Sequence, residues 1–418
     1  MDCHVRLGRA RDDKHGCVSV SLSLLRNMSA RKRVVILGAT GSIGGSALRV
    51  IERHADRLEL VGVAARVDAA GLAAIARKFG VRDAALFDDE AAAAARKGSA
   101  FPEGVNLHAG LAGLEAVASL PGSDIVLVAV AGTRPALRST LAAINAGCDI
   151  ALASKEVLVA AGRHVMAAAA GYGVKIIPVD SEHSALAHCL AGSSRADVRR
   201  VVLTASGGAL RDRNPGDLAG VTPADALRHP NWSMGRKITV DSATLANKGL
   251  EMIEAQWLFD LKPSQIEAVI HPQSIVHGLV EFADGSILAQ LTPPSMTFAI
   301  QHALLGPTRA PGTDATLDFQ KLLHLDFRPA DPVRYPCLRL AREAMEAGGA
   351  APAVFNAANE VAVAAFLDHG LPFMGIPEVI ARTMEIPVAG EPDSLDAVLA
   401  VEDDARRAAQ TLVANLIG

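Results

Sequence analysis

Two carboxylates one residue apart, Asp180 and Glu182, close the apolar run Ile176-Ile177-Pro178-Val179. In extended chain, side chains at i and i+2 project to the same side, so the spacing predicts a pair that shares one hard cation while Ser181 faces a ligand on the other side. Taken alone, the two residues read first as a solvated acidic strand end. The segment from Asp241 to Glu251 supplies what such a pair lacks. On a helix, Asn247 and Lys248 stand four and three residues before Glu251 and share its face. Glu251 then completes a three-carboxylate set suited to Mg2+ or Mn2+, ions that take oxygen ligands and leave positions open for substrate hydroxyls. Ser242, Asn247 and Lys248 offer charge and hydrogen bonds to a phosphate. The plainer reading of Lys248 with Glu251 is a surface helix pair worth roughly a few tenths of a kcal/mol.

Other residues belong to the same chemistry. Ser206-Gly207-Gly208 reads as a tight turn after an apolar strand, and a serine flanked by glycines suits a phosphate or oxyanion as well as a plain turn. His229-Pro-Asn-Trp232-Ser-Met-Gly235 carries one of the two tryptophans in a polar loop, where it covers a ligand more readily than it fills a core; loop anchor is the plainer reading. Near the N-terminus an apolar run, 33–37, is followed by Gly38-Ala-Thr40-Gly41-Ser42-Ile43-Gly44 and a helical stretch. Strand, glycine turn and helix in that order predict a dinucleotide pyrophosphate seated on free N–H groups at a helix N-terminus. The second strand ends Ala64-Ala65-Arg66 rather than in an acid, which points to NADPH, with Arg66 pairing a 2′-phosphate. An ordinary solvated arginine is the alternative.

These groups need elements to hold them. From residue 31 short apolar runs alternate with alanine-rich helical stretches, which predicts a parallel sheet with strands at 33–38, 58–64, 124–131, 149–153 and 175–179. The fold class expected is α/β: a Rossmann-like doubly wound NADPH-binding domain over 28–178, an α+β catalytic domain over 179–305, a linker over 306–335, and a C-terminal helical bundle over 336–418. In the catalytic domain a helix is expected near 247–259 and a hairpin whose limbs, 266–282 and 286–291, flank Ala283-Asp284-Gly285. Bundle helices are expected near 337–347, 352–369, 375–386 and 394–416.

Composition narrows the classes. The 418 residues are half apolar, 21% charged, and carry a net charge of -4, so no basic stripe for nucleic acid is expected. Five scattered cysteines form no C-x-x-C pair, which disfavours thiolate zinc and disulfides and fits a reducing cytoplasm. No apolar run is long enough to span a bilayer, so a soluble protein is expected. Residues 1–27 are expected to be a disordered extension or upstream of the true start at Met28; a transit peptide fits less well because of Asp2, Asp12 and Asp13.

Taken together, Gly38-Ala-Thr-Gly-Ser-Ile-Gly, Ser154-Lys155-Glu156, Val179-Asp-Ser-Glu-His183, Ser206-Gly-Gly, His229-Pro-Asn-Trp-Ser-Met-Gly-Arg-Lys, Asp241-Ser-Ala-Thr with Asn247-Lys-Gly-Leu-Glu251, His271-Pro-Gln-Ser and Asn356-Ala-Ala-Asn-Glu360 resemble the 1-deoxy-D-xylulose 5-phosphate reductoisomerase family. The resemblance runs from about Lys32 to the C-terminus. It implies a metal held by Asp180, Glu182 and Glu251, with Lys155 and His229 joining them as catalytic residues. It implies substrate contacts from Lys155, Ser181, Glu182, Ser206, His229, Ser242, Asn247, Lys248 and Glu251. Thr40, Gly41, Ser42 and Ile43 would bind NADPH, with Ala65, Arg66, Ser154 and Glu156 as further cofactor contacts, and a sugar phosphate would be the substrate. A homodimer and a mobile loop over the site, roughly 226–236, are also implied. His183, His188, His271 and His277 read as structural, the last two on one face of a single strand.

The chain departs from the family pattern at Val67 and Ser154, where Asn is usual, at Ala187-His188 in place of Phe-Gln, at Ala209-Leu210 in place of Pro-Phe, and in Leu291-Thr-Pro-Pro-Ser-Met-Thr-Phe298, where Asp-Met-Arg-Thr is normal. None removes a metal ligand or phosphate contact. Two rivals remain in view. A simple NADP dehydrogenase needs no metal and leaves three carboxylates without work, and a dinucleotide sensor has no use for a phosphate clamp.

Overall fold

The structure, a computed structural model, describes residues 31–321, 323–387 and 390–417; the expectation for residues 1–27 lies outside them. β1 (Lys32–Leu37), β2 (Leu58–Ala65), β3 (Asp83–Leu86), β4 (Asn106–Ala109), β5 (Ile125–Val128), β6 (Asp149–Leu152) and β7 (Ile176–Pro178) form one sheet in the order β4-β3-β2-β1-β5-β6-β7. Every pairing in it is parallel. Val34, Val35, Ile36 and Leu37 are all fully buried, as a central parallel strand covered on both faces requires. β3 and β4 were not expected from the sequence. Asp83-Ala-Ala-Leu86 and Asn106-Leu-His-Ala109 have no β-branched residue, and only their neighbours in the sheet make them strands.

The strand order reverses between β1 and β5, and a crevice opens there. Gly38 follows β1 with φ +93, and a Cβ on it would lie 2.2 Å from Ala129 O, so only glycine lets the β1 and β5 loops approach this closely. The helix Ser42–Arg53 then starts from an extended Gly41 and buries Ala47, Val50 and Ile51. Against that face packs the helix Met296–Leu305, through Ile300, Ala303 and Leu304.

A second, mixed sheet has the order β11-β10-β8-β9-β12, made of β8 (Val198–Ala205), β9 (Ile266–Ile270), β10 (Val276–Phe282), β11 (Ile287–Leu291) and β12 (Arg328–Pro329). β10 and β11 form the expected hairpin, but its first limb breaks in two: β9 runs parallel to β8, and His271-Pro-Gln-Ser274 turns the chain back. Pro272 has no N–H for a central ladder, which ends the strand there. His271 is therefore not on one strand with His277. Its Nε2 accepts from the backbone N of Ile275 and Val276, both at 3.1 Å, and the ring ties the turn.

Most of residues 306–335 crosses the surface as coil, but Arg328–Pro329 pairs with β9. Asp314 accepts from Thr297 Oγ1 at 2.9 Å and Arg49 Nη1 at 2.7 Å. The last helices are Pro336–Ala347, Ala351–Leu367, Gly375–Met384 and Leu395–Ile417, where helical periodicity places them. Their core is continuous with that of the mixed sheet: Val201, Leu203, Leu250, Ile253, Ala341 and Phe355 belong to one buried cluster. A Cβ on Gly249 would lie 2.3 Å from Ala341 Cβ, so the helix Ala246–Phe259 seats directly on the helix Pro336–Ala347.

At one of the departures from the family pattern, His188 packs against His302 with ring centroids 3.9 Å apart and planes tilted by 54°. Burial, then His302 and Arg309, push His188 down to about 4. The folded chain therefore binds fewer protons than the unfolded one between the unperturbed value of 6.5 and about 4, and stability falls as pH drops through that window. Urea unfolding at pH 7 and at pH 5 should show that loss, and His188→Gln should lose less between the two pH values than the wild type does.

Candidate active site

The crevice at the reversal point widens into a cavity of about 520 Å3, lined from one side by Gly38, Gly41, Ser42, Ile43 and the loop Ala129-Val130-Ala131, and from the other by the mixed-sheet residues. Asp180 and Glu182 reach it differently from the expectation. Asp180 is the N-cap of the helix Ser181–Leu190 and Glu182 lies in its first turn, so the chain leaves extended geometry at Asp180. The two carboxylates converge because a helix begins there. Ser181 does not face away, since its Oγ donates to Glu182 Oε2 at 2.6 Å.

The helix Ala246–Phe259 brings Glu251 to the pair. One oxygen each from Asp180, Glu182 and Glu251 lie within 4.8 Å of one another. Lys155 Nζ is 2.5 Å from Asp180 Oδ2 and 3.0 Å from Glu251 Oε1, while Lys248 Nζ is 2.6 Å from Glu182 Oε1 and also contacts Glu251. Glu251 and Lys248 have side chains 1% and 2% exposed, which rules out the surface helix pair. Burial and then the Glu182 carboxylate hold Glu251 above the usual carboxyl range. Glu182 itself falls to about 2, because Lys248 and Ser181 outweigh its burial. Burial alone would lower Lys155, but Asp180 and Glu251 hold it well above the ordinary lysine value.

Beneath this set lies a layer that the sequence reading left as structural or unnamed. His183 Nε2 donates to Glu251 O at 2.8 Å, so its Nδ1, 3.2 Å from Glu254 Oε2, is an acceptor in the neutral ring. Burial and Asp180 raise the Glu254 carboxyl well above its usual range, and His183 Nδ1 and both Glu254 carboxyl oxygens are buried with no hydrogen-bond partner among the described residues. The spacing of Glu254 three residues after Glu251 was the available signal. Asp180, His183 and Glu254 form a second group with metal-ligand spacing among the described residues.

On the opposite wall His229 Nδ1 accepts from the backbone N of Trp232 at 2.9 Å and of Asn231 at 3.2 Å, which leaves its proton on Nε2 to donate to Ser206 Oγ at 2.8 Å. Gly208 N also donates to that oxygen, at 3.1 Å, so the Ser206 hydroxyl proton is free for a ligand. The loop is pinned by Asn231 Nδ2, which donates to Pro272 O at 2.6 Å and Ser274 Oγ at 2.8 Å. Trp232 and Met234 line the cavity, as do Ser242, Asn247 and Lys248. Asn247 accepts from Lys155 Nζ at 2.8 Å and faces the carboxylates as much as the phosphate side.

The cofactor-side residues divide. Gly41, Ser42, Ile43, Ser154 and Glu156 line the cavity; Thr40, Ala65 and Arg66 do not, and Thr40 and Arg66 are exposed at the strand ends. Ser154 Oγ donates to Val130 O at 2.7 Å and accepts from Val130 N at 3.0 Å, so it holds the β5 loop. Lys237, named in a motif but assigned no part, lies 3.2 Å from Glu156 Oε1 and 3.1 Å from Asp241 Oδ2.

A glycine loop at the reversal point of a parallel sheet, opening on buried carboxylates and lysines carried by a mixed sheet and its helices, defines the class of dinucleotide-dependent α/β oxidoreductases with an acidic substrate cleft. Residues 34–162 match 1-deoxy-D-xylulose 5-phosphate reductoisomerase, 176–259 its C-terminal domain, and 291–408 the DXP reductoisomerase C-terminal domain. The 1-deoxy-D-xylulose 5-phosphate reductoisomerase of Anaeromyxobacter sp. (strain K) is 50% identical over 382 residues, 91% of this chain and 97% of that protein. The Pseudomonas putida protein of that name is 47% identical over 386 residues, 91% and 97% of the two chains. Among solved structures, the reductoisomerase of Zymomonas mobilis in complex with NADPH has a TM-score of 0.85 at 41% identity, covering 92% of this chain and 99% of that one. A DOX-P reductoisomerase in complex with NADPH, fosmidomycin and magnesium has a TM-score of 0.85 at 37% identity, with 92% and 99% covered. The chain belongs to the 1-deoxy-D-xylulose 5-phosphate reductoisomerase family.

Lys248→Met would leave Glu182 and Glu251 buried with a single lysine between them and Asp180. Removing one partner of a buried pair costs about 3–5 kcal/mol. The variant should therefore melt well below the wild type by calorimetry, and millimolar Mg2+ should raise its melting temperature more than that of the wild type, since the cation restores the missing charge.

Proposed function

We propose that the chain converts 1-deoxy-D-xylulose 5-phosphate to 2-C-methyl-D-erythritol 4-phosphate, by metal-assisted skeletal rearrangement and hydride transfer from NADPH, in isoprenoid precursor biosynthesis. The observation that carries this reading is the shared cavity: the glycine loop, the three carboxylates and the Ser206–His229 wall open on one space. The donor set fits a hard divalent cation, since Asp180, Glu182 and Glu251 offer only oxygens and are partly neutralised by two lysines. Held by these three residues, Mg2+ or Mn2+ supplies Lewis acidity to neighbouring substrate oxygens.

The chain's own groups do the rest. The Ser206 hydroxyl, with its acceptor sites filled by His229 and Gly208, donates to the phosphate. Neutral His229, held at about 4 first by burial and then by Arg211, positions that hydroxyl rather than carrying charge. Ser242, Asn247 and Lys248 line the same cavity, where the two polar side chains and the ammonium would hold the phosphate. Phosphate binding there fixes the reacting end of the sugar by remote contacts. Lys155 stands between the carboxylates and the cofactor loop, where its ammonium hydrogen-bonds a substrate oxygen during rearrangement. The loop 226–236, closing with Trp232 over the cavity, keeps water from the aldehyde that is then reduced. Gly41, Ser42 and Ile43, with Ser154 and Glu156, line the cavity where NADPH would be held, and Thr40, Ala65 and Arg66, outside that lining, would meet it at the strand ends.

A homodimer is part of the proposal. Among the described residues β11 is the edge of the mixed sheet, paired only with β10, and its Ile287 and Leu288 are about half exposed, a surface suited to pairing with a second copy. The cytoplasm is the compartment that suits the three buried free cysteines among the described residues. No helix of the described residues is long and apolar enough to cross a membrane.

Purified protein should oxidise NADPH when given 1-deoxy-D-xylulose 5-phosphate and Mg2+ or Mn2+, and should stop on chelation. Glu251→Gln should lower kcat by about a hundredfold or more, several kcal/mol of lost metal assistance. Turnover that ignores chelator would favour the simple dehydrogenase, and no turnover with either metal would sink the assignment.

A further inference from the structure

The helix Ala351–Leu367 contributes no side chain to the cavity, yet two of its asparagines bond to residues just behind both walls. Asn356 and Asn359, one turn apart, are fully buried. Asn359 Nδ2 donates to Asp241 Oδ1 at 2.9 Å. The other carboxylate oxygen of Asp241 lies 3.1 Å from Lys237 Nζ, and Lys237 reaches Glu156 Oε1 at 3.2 Å. Glu156 opens the helix Glu156–Tyr172, directly after Lys155, and Asp241 precedes Ser242 on the phosphate-side helix Arg236–Thr244. Asn356 Nδ2 donates instead to Thr133 Oγ1 at 3.1 Å and Glu402 Oε1 at 3.3 Å. Thr133 is the first residue of the helix that follows the cofactor-side loop Ala129-Val130-Ala131.

We propose that Asn356 and Asn359 are positioning residues of the active site, Asn359 acting through Asp241 and Lys237 on Glu156, and Asn356 acting through Thr133 on the β5 loop. This deepens the functional reading above and rests on it. Asp241 is 1% exposed, so its charge must be satisfied by the partners it has, an amide on one oxygen and an ammonium on the other. With the amide gone, the carboxylate rotates to recover a partner and takes Lys237 away from Glu156. Both anchors stand on one rigid helix, so the spacing between the cofactor wall and the phosphate wall is set from outside the cavity. Displacements of this kind are costly, since about 1 Å of misplacement at a reacting centre costs on the order of a hundredfold in rate.

The test is a pair of double-mutant cycles on the full-length protein, reading kcat, the Kd for NADPH from the cofactor's fluorescence, and the melting temperature. Asn359→Leu, close to isosteric, should lower kcat roughly 10- to 100-fold and weaken NADPH at least about threefold. In a Lys237→Met background the same substitution should add less than about a twofold further loss, because its route is already cut. Asn356→Leu should weaken NADPH too, but should multiply with Lys237→Met, because it works through Thr133. Multiplicative losses for Asn359, non-multiplicative losses for Asn356, or a melting-temperature drop with kcat and Kd unchanged would each overturn the proposal. Should Asn359→Leu fail to fold, Asn359→Ser carries the same cycle. If the wild type binds NADPH but does not turn over the sugar phosphate, the functional reading falls while the NADPH cycles still decide the positioning claim.

Discussion

Buried negative charge that must be balanced is the constraint around which this molecule is arranged. Asp180, Glu182 and Glu251 meet in a space that excludes most solvent, and Lys155 and Lys248 are driven between them. An isolated buried carboxylate is expensive, and mutual attraction repays that cost only when geometry is good and the remaining lone pairs are met. The layer below answers to the same demand: burial lowers His183 to about 4 as it donates to the Glu251 carbonyl, and burial first, then Asp180, raises the Glu254 carboxyl. Each group has the protonation state its neighbours leave open to it. The fold must therefore bring three helix starts and a strand end to one point with little tolerance.

Close backbone approach supplies that tolerance. The helix Ala246–Phe259 carries Asn247, Lys248, Glu251 and Glu254, and it touches the helix Pro336–Ala347 at Gly249 and the helix Glu156–Tyr172 at Gly162, where a Cβ would lie 2.4 Å from the Trp257 ring. Glycine at both crossings lets the helices lie nearly in contact. On the cofactor side Gly38 does the same for two loops.

How much of this was legible in the sequence depended on how local its cause was. The four C-terminal helices, the central strands and the glycine turn follow from periodicity and from residues whose backbone needs are local. Convergence of Asp180, Glu182 and Glu251 was also foreseen, but for a reason that does not hold: the pair sits at a helix start and not in a strand. β3 and β4 escaped because alanine and aspartate carry no strand signal of their own. The break at Pro272 was readable from proline chemistry and was passed over because the apolar pattern on either side is continuous. Lys237 and Asp241 stood in named motifs, and Glu254 one helical turn after Glu251, but no role followed, for a different reason. Their significance is a matter of what lies opposite them in space, and Asn359 is 118 residues from the carboxylate it meets.

The shared core of the mixed sheet and the last helices also bears on how the molecule comes into being. A nascent chain that has left the ribosome as far as residue 330 already contains every side chain assigned to metal, substrate or cofactor. It lacks Ala341, Phe355 and the two asparagines, against which the helices carrying those side chains are seated. Until the helices Pro336–Ala347 and Ala351–Leu367 are in place, the acidic residues have no low-dielectric site to share, and the lysines have no reason to be among them. The cleft thus takes its shape only once residues 336–367 have joined it, and its active-site segments alone do not suffice.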